Sequence, residues 1–431
     1  MKNHKSRHAH QPGKRTPPLA KKRKLTSQPQ LYTYPIKSLR GVSLSEATLT
    51  RTGFQYDRRF MLLKVIPGQN GACTLKNMHV PHFPEMALFT TEIVYPDEEK
   101  DVPGRIIVTY HPPADSHLDN KDKATKTLEI PLQPDIRGLR QLSIEMHRSP
   151  TTGYDMGDPY NEWFSERFGY GVVLAYLGPH SRRVLGSFAP GKSPAHAVDR
   201  PVVSTRSLVG LAVLTLVLNG VRVPSGASAS GPVQSAREEL LRHWPGVAAT
   251  VVAGLLSWVL LRGLSTAKED ESITFADTAP YLLTSETSLD ELSARFAGEE
   301  RMDMTKFRPN IVVSGPATAF EEDFWAELRV GQSEAAARLL LTANCVRCRS
   351  INVDYATGKM GTGETGSALK KLMNDRRVDK GVKYNPVFGR YVFLDPASDK
   401  VMIRVGDEVD VLRTMKERTI YGQSVYSLIH V

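Results

Sequence analysis

The residues with the most distinctive chemistry in this chain are two thiols three positions apart, in Asn344-Cys345-Val346-Arg347-Cys348. Thiolates bind soft or high-valent metals. A zinc site would need a second pair of Cys or His, and the only other cysteine is Cys73, far upstream. A thioredoxin-like redox pair would open a helix, whereas this pair precedes a β-rich run. Two buried structural thiols remain the simplest alternative. The run Leu339-Leu340-Leu341 leads into the thiols as a strand. A second strand is expected over Ser350 to Asp354, and Asp354-Tyr355-Ala356-Thr357-Gly358 ends in turn residues. The thiols are therefore expected on a short connection between strands, where chemistry is commonly placed.

The elements that position such a site must come from a chain of 431 residues, enough for two ordinary domains or one larger one with insertions. Its formal charge of +10 is unevenly spread. Residues 1–30 hold nine Lys or Arg and no acid, so the rest is close to neutral and a basic nucleic-acid-binding body is not expected. Three cysteines do not make a disulfide framework and favour a reducing compartment. No apolar secretory signal opens the chain. Residues 1–30 read as a disordered tail. Within it Lys21-Lys22-Arg23-Lys24 suits a nuclear signal, an anionic-lipid patch or a plainly solvated stretch.

Short strands follow: Leu31 to Tyr34, Ser43 to Leu49, Arg59 to Lys64, Ala87 to Val94 and Arg105 to Tyr110. Asp158 to Gly169 is expected to be a helix, with Asp158 as its cap and Tyr160, Trp163, Phe164 and Phe168 on one face. The mixture predicts an α+β fold built around a β-barrel or strongly bent sheets. Ser207 to Val221 and Trp244 to Leu261 are then almost wholly apolar, joined by a Ser/Gly/Pro linker. If the flanks build one domain, both runs cross a bilayer as a hairpin or neither does. A membrane hairpin or re-entrant anchor over 200–265, buried helices and a translated intron all remain open. After Arg262 globular patterning returns. Strands are expected at Tyr281 to Thr284, Ile311 to Val313, Phe388 to Leu394 and Val401 to Val405. Ser288-Leu289-Asp290-Glu291 reads as a capping box, and Gly366 to Arg376 as a helix.

In this order the segments resemble the MOSC superfamily, the domain found at the C-termini of molybdenum-cofactor sulfurases. Within it they resemble the mitochondrial amidoxime-reducing components. One block is Tyr34-Pro35-Ile36-Lys37-Ser38 with Gly41, Gly53, Asp57-Arg58-Arg59-Phe60, Gly157-Asp158 and Trp163-Phe164. The other is Phe275-Ala276-Asp277, Phe307-Arg308-Pro309-Asn310, Trp325, Cys345 to Cys348, Val353-Asp354 with Thr357-Gly358, Pro386 to Tyr391 and Val405-Gly406-Asp407. The resemblance covers roughly residues 31–190 and 270–415. It implies an N-terminal β-barrel-like domain over 31–195, a MOSC domain over 270–415 and a tail over 416–431. The tail and the 200–265 insertion depart from the common core. Thr74-Leu75-Lys76 stands where the family often has Thr-x-Arg.

The resemblance further implies a molybdenum cofactor, with Cys348 as the protein ligand to the metal and the catalytic residue. By the same correspondence Lys37, Ser38, Arg58 and Arg308 would hold the pterin and its phosphate, and Asn310 a pterin edge. Asp277, Thr278, Arg347 and Tyr391 would complete the pocket. A thiolate beside Arg347 would have a lowered pKa and ligate readily. The implied reaction is reduction of a small N-hydroxylated substrate, an amidoxime or hydroxylamine. No strand-linked G-x-G-x-x-G marks a flavin or nicotinamide site, so electrons would come from cytochrome b5 and its reductase. The implied place is a membrane surface contacting lipid, the mitochondrial outer membrane, with the catalytic domain facing the cytosol. The alternative is a molybdenum-cofactor-binding or sulfur-carrying protein with a persulfide on Cys348.

Overall fold

Hydrophobic periodicity sets the longest strand, Ala337–Val346. Ala337, Leu339 and Leu341 are buried while Arg338 is exposed, the period-two pattern of a strand with one covered face. From Leu341 to Cys345 every residue is buried, so this end of the strand is covered on both faces. The computed structural model describes residues 23–25, 30–68, 72–97, 99–113, 126–193, 196, 271–332 and 336–421. The chain divides into two compact units, residues 1–197 with 271–431, and residues 198–270; all described residues belong to the first. The expected membrane hairpin at 200–265 therefore lies outside the described residues. Among the described residues no helix is long and apolar enough to cross a membrane.

The described unit is mostly β-sheet with few helices, and its sheets are barrel-like. The largest sheet has nine strands, in the order Arg23–Leu25, Val409–Thr414, Trp325–Val330, Ala337–Val346, Val387–Leu394, Tyr281–Ser285, Ile311–Val313, Gln30–Thr33 and Val42–Leu44. Its neighbours are antiparallel except for the parallel pair Tyr281–Ser285 and Ile311–Val313. Leu31, Leu283, Trp325, Leu339 and Val392 belong to one buried core against it. A five-stranded sheet holds Gln141–Met146, Ser149–Asp155, Val172–Tyr176, Phe60–Pro67 and Cys73–Asn77. The helix Asp158–Phe168 packs Phe164 and Phe168 on Phe89, with ring centroids of Phe89 and Phe168 4.9 Å apart.

The segments before and after the insertion share sheets. Gln30–Thr33 pairs with Ile311–Val313, and Arg182–Arg183 with Ser272–Ile273. Long-range pairing thus ties the two blocks together, beside local hairpins such as Phe60–Pro67 with Cys73–Asn77 and Gln141–Met146 with Ser149–Asp155. Two expected tails carry structure. Arg23–Leu25 forms an edge strand on Val409–Val411, and Thr419 is buried and accepts from Arg390. Other local expectations change where a stronger partner wins. The helix at 158 is capped by Gly157 without a side-chain bond, so Asp158 is its first residue. The next helix is Glu286–Ser293 and begins before the proposed capping box. The Ser288 hydroxyl donates to Glu322 and accepts from the Phe320 amide instead of capping. Ser350 belongs to a 3-10 turn, Arg349–Asn352, and only Val353–Asp354 is extended.

Candidate functional site

One cavity of about 490 Å³ gathers all ten residues singled out from sequence: Lys37, Ser38, Arg58, Asp277, Thr278, Arg308, Asn310, Arg347, Cys348 and Tyr391. They reach it from separate segments. Lys37 and Ser38 follow the Gln30–Thr33 strand, and Arg58 lies in the turn before Phe60–Pro67. Asp277 and Thr278 precede Tyr281–Ser285, and Arg308 and Asn310 lie between the 3-10 turn Met304–Phe307 and Ile311–Val313. Cys345 lies in Ala337–Val346, Arg347 and Cys348 just beyond it, and Tyr391 in the adjoining Val387–Leu394.

Left-handed backbone recurs at this cavity. Ser38, Arg58 and Arg308 have φ of 70°, 51° and 57°, a left-handed conformation uncommon for side chains with a Cβ. The Arg58 turn is pinned by its amide donating to the Tyr34 carbonyl at 2.8 Å and its carbonyl accepting from Phe275 at 3.0 Å. The register of Ala337–Val346 on Val387–Leu394 shifts between Asn344 and Val346, around Cys345. Such a bulge re-aims side chains next to a site. Gly389, with φ of 82°, leaves room where a Cβ would stand 2.6 Å from the Leu283 carbonyl and 3.4 Å from Arg347 Nη2.

The cations are organised by the protein. Arg58 is ion-paired with Asp57, and its Nη1 donates to Asn310 Oδ1 at 3.1 Å. Arg58 and Arg308 both stack on the Tyr34 ring, 4.8 and 4.4 Å from its centroid. Arg308 Nη1 donates to the Leu39 carbonyl at 2.7 Å, while its Nη2 is buried with no hydrogen-bond partner. Arg347 donates to the carbonyls of Phe388 and Phe307, each at 2.8 Å, and its Nη2 is likewise buried without a partner. Lys37 is ion-paired with Asp277 and donates to the Phe275 carbonyl at 3.0 Å. Burial pulls the Lys37 ammonium down, with Asp277 opposing. The Asp277 side chain is 62% exposed, opening to the cavity's own solvent. Enclosure pushes its carboxyl up, but Lys37 and His147 outweigh this and hold it well below the usual carboxylate range.

The two cysteines differ sharply. Cys345 is buried, and burial pushes its thiol up, with Arg347 partly offsetting. Tyr391 and Thr278 line the same wall of the cavity as Cys345. Cys348 is exposed to the cavity, its sulfur 3.3 Å from Ser350 Oγ. The Arg347 guanidinium is committed to the carbonyls of Phe388 and Phe307. Asn310 is also committed. Its Oδ1 accepts from Arg58 and the Leu282 amide and its Nδ2 donates to the Tyr32 carbonyl, so it positions Arg58. Sequence reasoning missed Asn77, His79, His147 and Lys306, which also line the cavity. Thr74 to Lys76 do not line it; Asn77 and His79, just beyond, do. Lone polar residues beside short strands carry no spacing signal that could have picked them out.

Among the described residues no group of three His, Cys, Asp or Glu could hold a bare metal ion. The cavity instead combines five cations, one carboxylate and one exposed thiol. That donor set suits an anionic organic group. Residues 28–170 match the MOSC N-terminal beta barrel domain and residues 270–410 the MOSC domain. This chain belongs to the MOSC family. It is 37% identical over 143 residues to "Mitochondrial amidoxime-reducing component 1" of Homo sapiens, 33% of this chain and 40% of that protein. It is 35% identical over 147 residues to "Mitochondrial amidoxime reducing component 2" of Macaca fascicularis, 34% of this chain and 41% of that protein. Against "Mitochondrial amidoxime-reducing component 1" of Xenopus laevis it is 33% identical over 143 residues, 33% and 39% of the two chains. The matched stretch thus spans about 40% of these relatives.

Proposed function

We propose that this MOSC protein is a molybdenum-cofactor-dependent reductase of N-hydroxylated compounds, amidoximes and hydroxylamines. The observation that carries the reading is the convergence of Lys37, Arg58, Arg308 and Arg347 on one cavity that also exposes a single thiol, Cys348. The unpartnered buried nitrogens of Arg308 and Arg347 are donors awaiting acceptors, as an oxygen-rich ligand would supply. The residues present fit such a group. Cys348 would be the protein's ligand to molybdenum, and Lys37, Ser38, Arg58, Arg308 and Arg347 would hold the pterin and its phosphate. Asn310 would keep Arg58 aimed, and Tyr391 and Thr278 would fix the wall around Cys345.

When bound, the cofactor supplies the redox-active metal at which the N–O bond is reduced. An amidoxime takes up two electrons and two protons to give an amidine and water. Lys37, Asp277 and His147 form the hydrogen-bonded group at the cavity wall nearest to such proton traffic. Asp277 orients the Lys37 ammonium, and Lys37 and His147 hold the Asp277 carboxyl well below the usual carboxylate range. The electrons would come from a separate cytochrome b5-type partner and its reductase. Attachment of the 200–265 segment to a mitochondrial membrane would keep enzyme and partner on one surface. The names of the relatives support both the reaction and the location.

The test is turnover of benzamidoxime by full-length protein from a cofactor-competent host, driven by a chemical reductant. We expect benzamidine as product, and a loss of about a hundredfold or more in Cys348→Ala. No turnover by the wild-type protein, or full turnover by the variant, would sink the reading.

A further inference from the structure

A second cavity of about 370 Å³ adjoins the first, and the two share four walls: His147, Asp277, Thr278 and Tyr391. Its other face is aromatic. The Phe188 ring meets Tyr391 edge-on at 6.0 Å between centroids and 82°, and meets Tyr421 at 4.8 Å and 67°. Thr278 ties this box to the first cavity, since it lines both. Beneath lies Arg182, 1% exposed, donating to the carbonyls of Ala276 at 2.6 Å, Met146 at 2.8 Å and Ser149 at 3.4 Å. Its acceptors there are all neutral, so its charge is balanced only at a distance by Asp277.

We infer that this chamber is where the non-reacting end of the substrate sits, and that Phe188 and Tyr421 select neutral N-hydroxylated compounds bearing a flat aryl group. Three aromatic rings set edge-to-face offer faces and edges that a planar ring fills better than an alkyl chain does. A cavity of this size holds a small aryl group with room to spare. Asp277, at the junction of the two cavities, can accept from the amino group of an amidoxime while the aryl ring points to Phe188. Arg182 and Arg183 on the chamber wall offset the Asp277 carboxylate, so the chamber as a whole does not favour the cationic amidinium product over the neutral amidoxime. This inference rests on the reductase reading for what the first cavity does, but its own measurement is binding.

The experiment compares calorimetric affinities of the full-length protein for benzamidoxime, acetamidoxime and benzamidine, in the wild type, Phe188→Ala and Tyr421→Ala. The two variants approach the box from different segments, so a fold defect in one does not remove the test. We expect benzamidoxime to bind about tenfold more weakly in each variant. Acetamidoxime, which lacks the ring, should change by less than about twofold. In the wild type, benzamidine should bind no more tightly than benzamidoxime. Unchanged benzamidoxime affinity in both variants, or equal losses for acetamidoxime, would overturn the chamber. Tighter binding of benzamidine would overturn the choice of a neutral ligand. Ring-dependent binding without reduction of any N-hydroxylated compound would leave the chamber standing and remove the reductase.

Discussion

Two groups of buried arginines meet the Val387–Leu394 strand, and they are built to opposite ends. Arg390, fully buried, donates to Asn344 Oδ1 at 2.6 Å, Thr419 Oγ1 at 2.7 Å and the carbonyls of Asp323 and Trp325. Asp323 in turn accepts from Arg376 at 2.8 and 3.0 Å and from Arg418 at 2.7 Å. This group is centred on its own carboxylate, although Arg390 Nε and Glu322 Oε1 are also buried without partners among the described residues. One residue along, Tyr391 faces the cavity, where Arg308 and Arg347 keep buried nitrogens without partners on a strained backbone. Burial lowers the guanidinium pKa of Arg390, to about 10, and of Arg308 as well. What differs is the acid. The first group is neutralised by the buried Asp323, whereas Arg308 and Arg347 donate only to backbone carbonyls among the described residues and leave their charge to the cavity.

The sharpest way to break this contrast is Asp323→Ala. It leaves Arg376 and Arg390 buried without their acid, and a loss of about 3–5 kcal/mol is expected in denaturant unfolding. A loss below about 1 kcal/mol would mean that the group is not structural. Gly389→Ala comes next. A Cβ would crowd the Leu283 carbonyl in a left-handed backbone, and destabilisation of about 3 kcal/mol is expected from the melting curve. An unchanged melting temperature would show that the strand gives way there.

Glu322 sharpens the comparison through pH. Burial first, then Asp323, raises its carboxyl to about 7. The folded state then holds a proton that the unfolded chain has lost, so stability falls as pH rises from the ordinary carboxyl range through about 7. Glu322→Gln should flatten that slope and gain on the order of 1–3 kcal/mol at pH 8. Parallel pH–stability curves for the two proteins would contradict the assignment. The smallest expected effect on stability is Arg308→Ala, about 1 kcal/mol, because it removes one hydrogen bond and one ring contact. A loss as large as that of Asp323→Ala would erase the distinction between the two groups.

The sequence made the site more legible than the body. Cys348, Lys37, Arg58 and Arg308 stand in motifs whose order is specific, and the fold brings all of them to one cavity. Strands with a clear pattern, alternating in Arg105–Tyr110 and wholly apolar in Ile311–Val313, fall where the pattern predicts. Gln141–Met146 alternates too, burying Leu142, Ile144 and Met146, and its pattern was there to be read. Cys73–Asn77 and Ser149–Asp155 escaped notice because their polar residues carry little alternation and are held by hairpin partners, Phe60–Pro67 and Gln141–Met146. The helix starts at Asp158 and Glu286 were displaced for a related reason. Ser288 finds tertiary partners in Glu322 and Phe320 that no local rule contains. His79 and His147 were invisible because only long-range folding carries them to the cavity.

The central claim is that the cavity's cations, which have no buried acid of their own like Asp323, hold a molybdenum cofactor. Elemental analysis for molybdenum tests it most directly, on detergent-purified wild-type protein beside an Arg58→Ala/Arg308→Ala double variant, both from a cofactor-competent host. The account predicts near-stoichiometric metal in the wild type and a loss of about tenfold or more in a double variant that still folds. A wild-type protein without molybdenum, or a double variant that keeps all of it, would contradict the account.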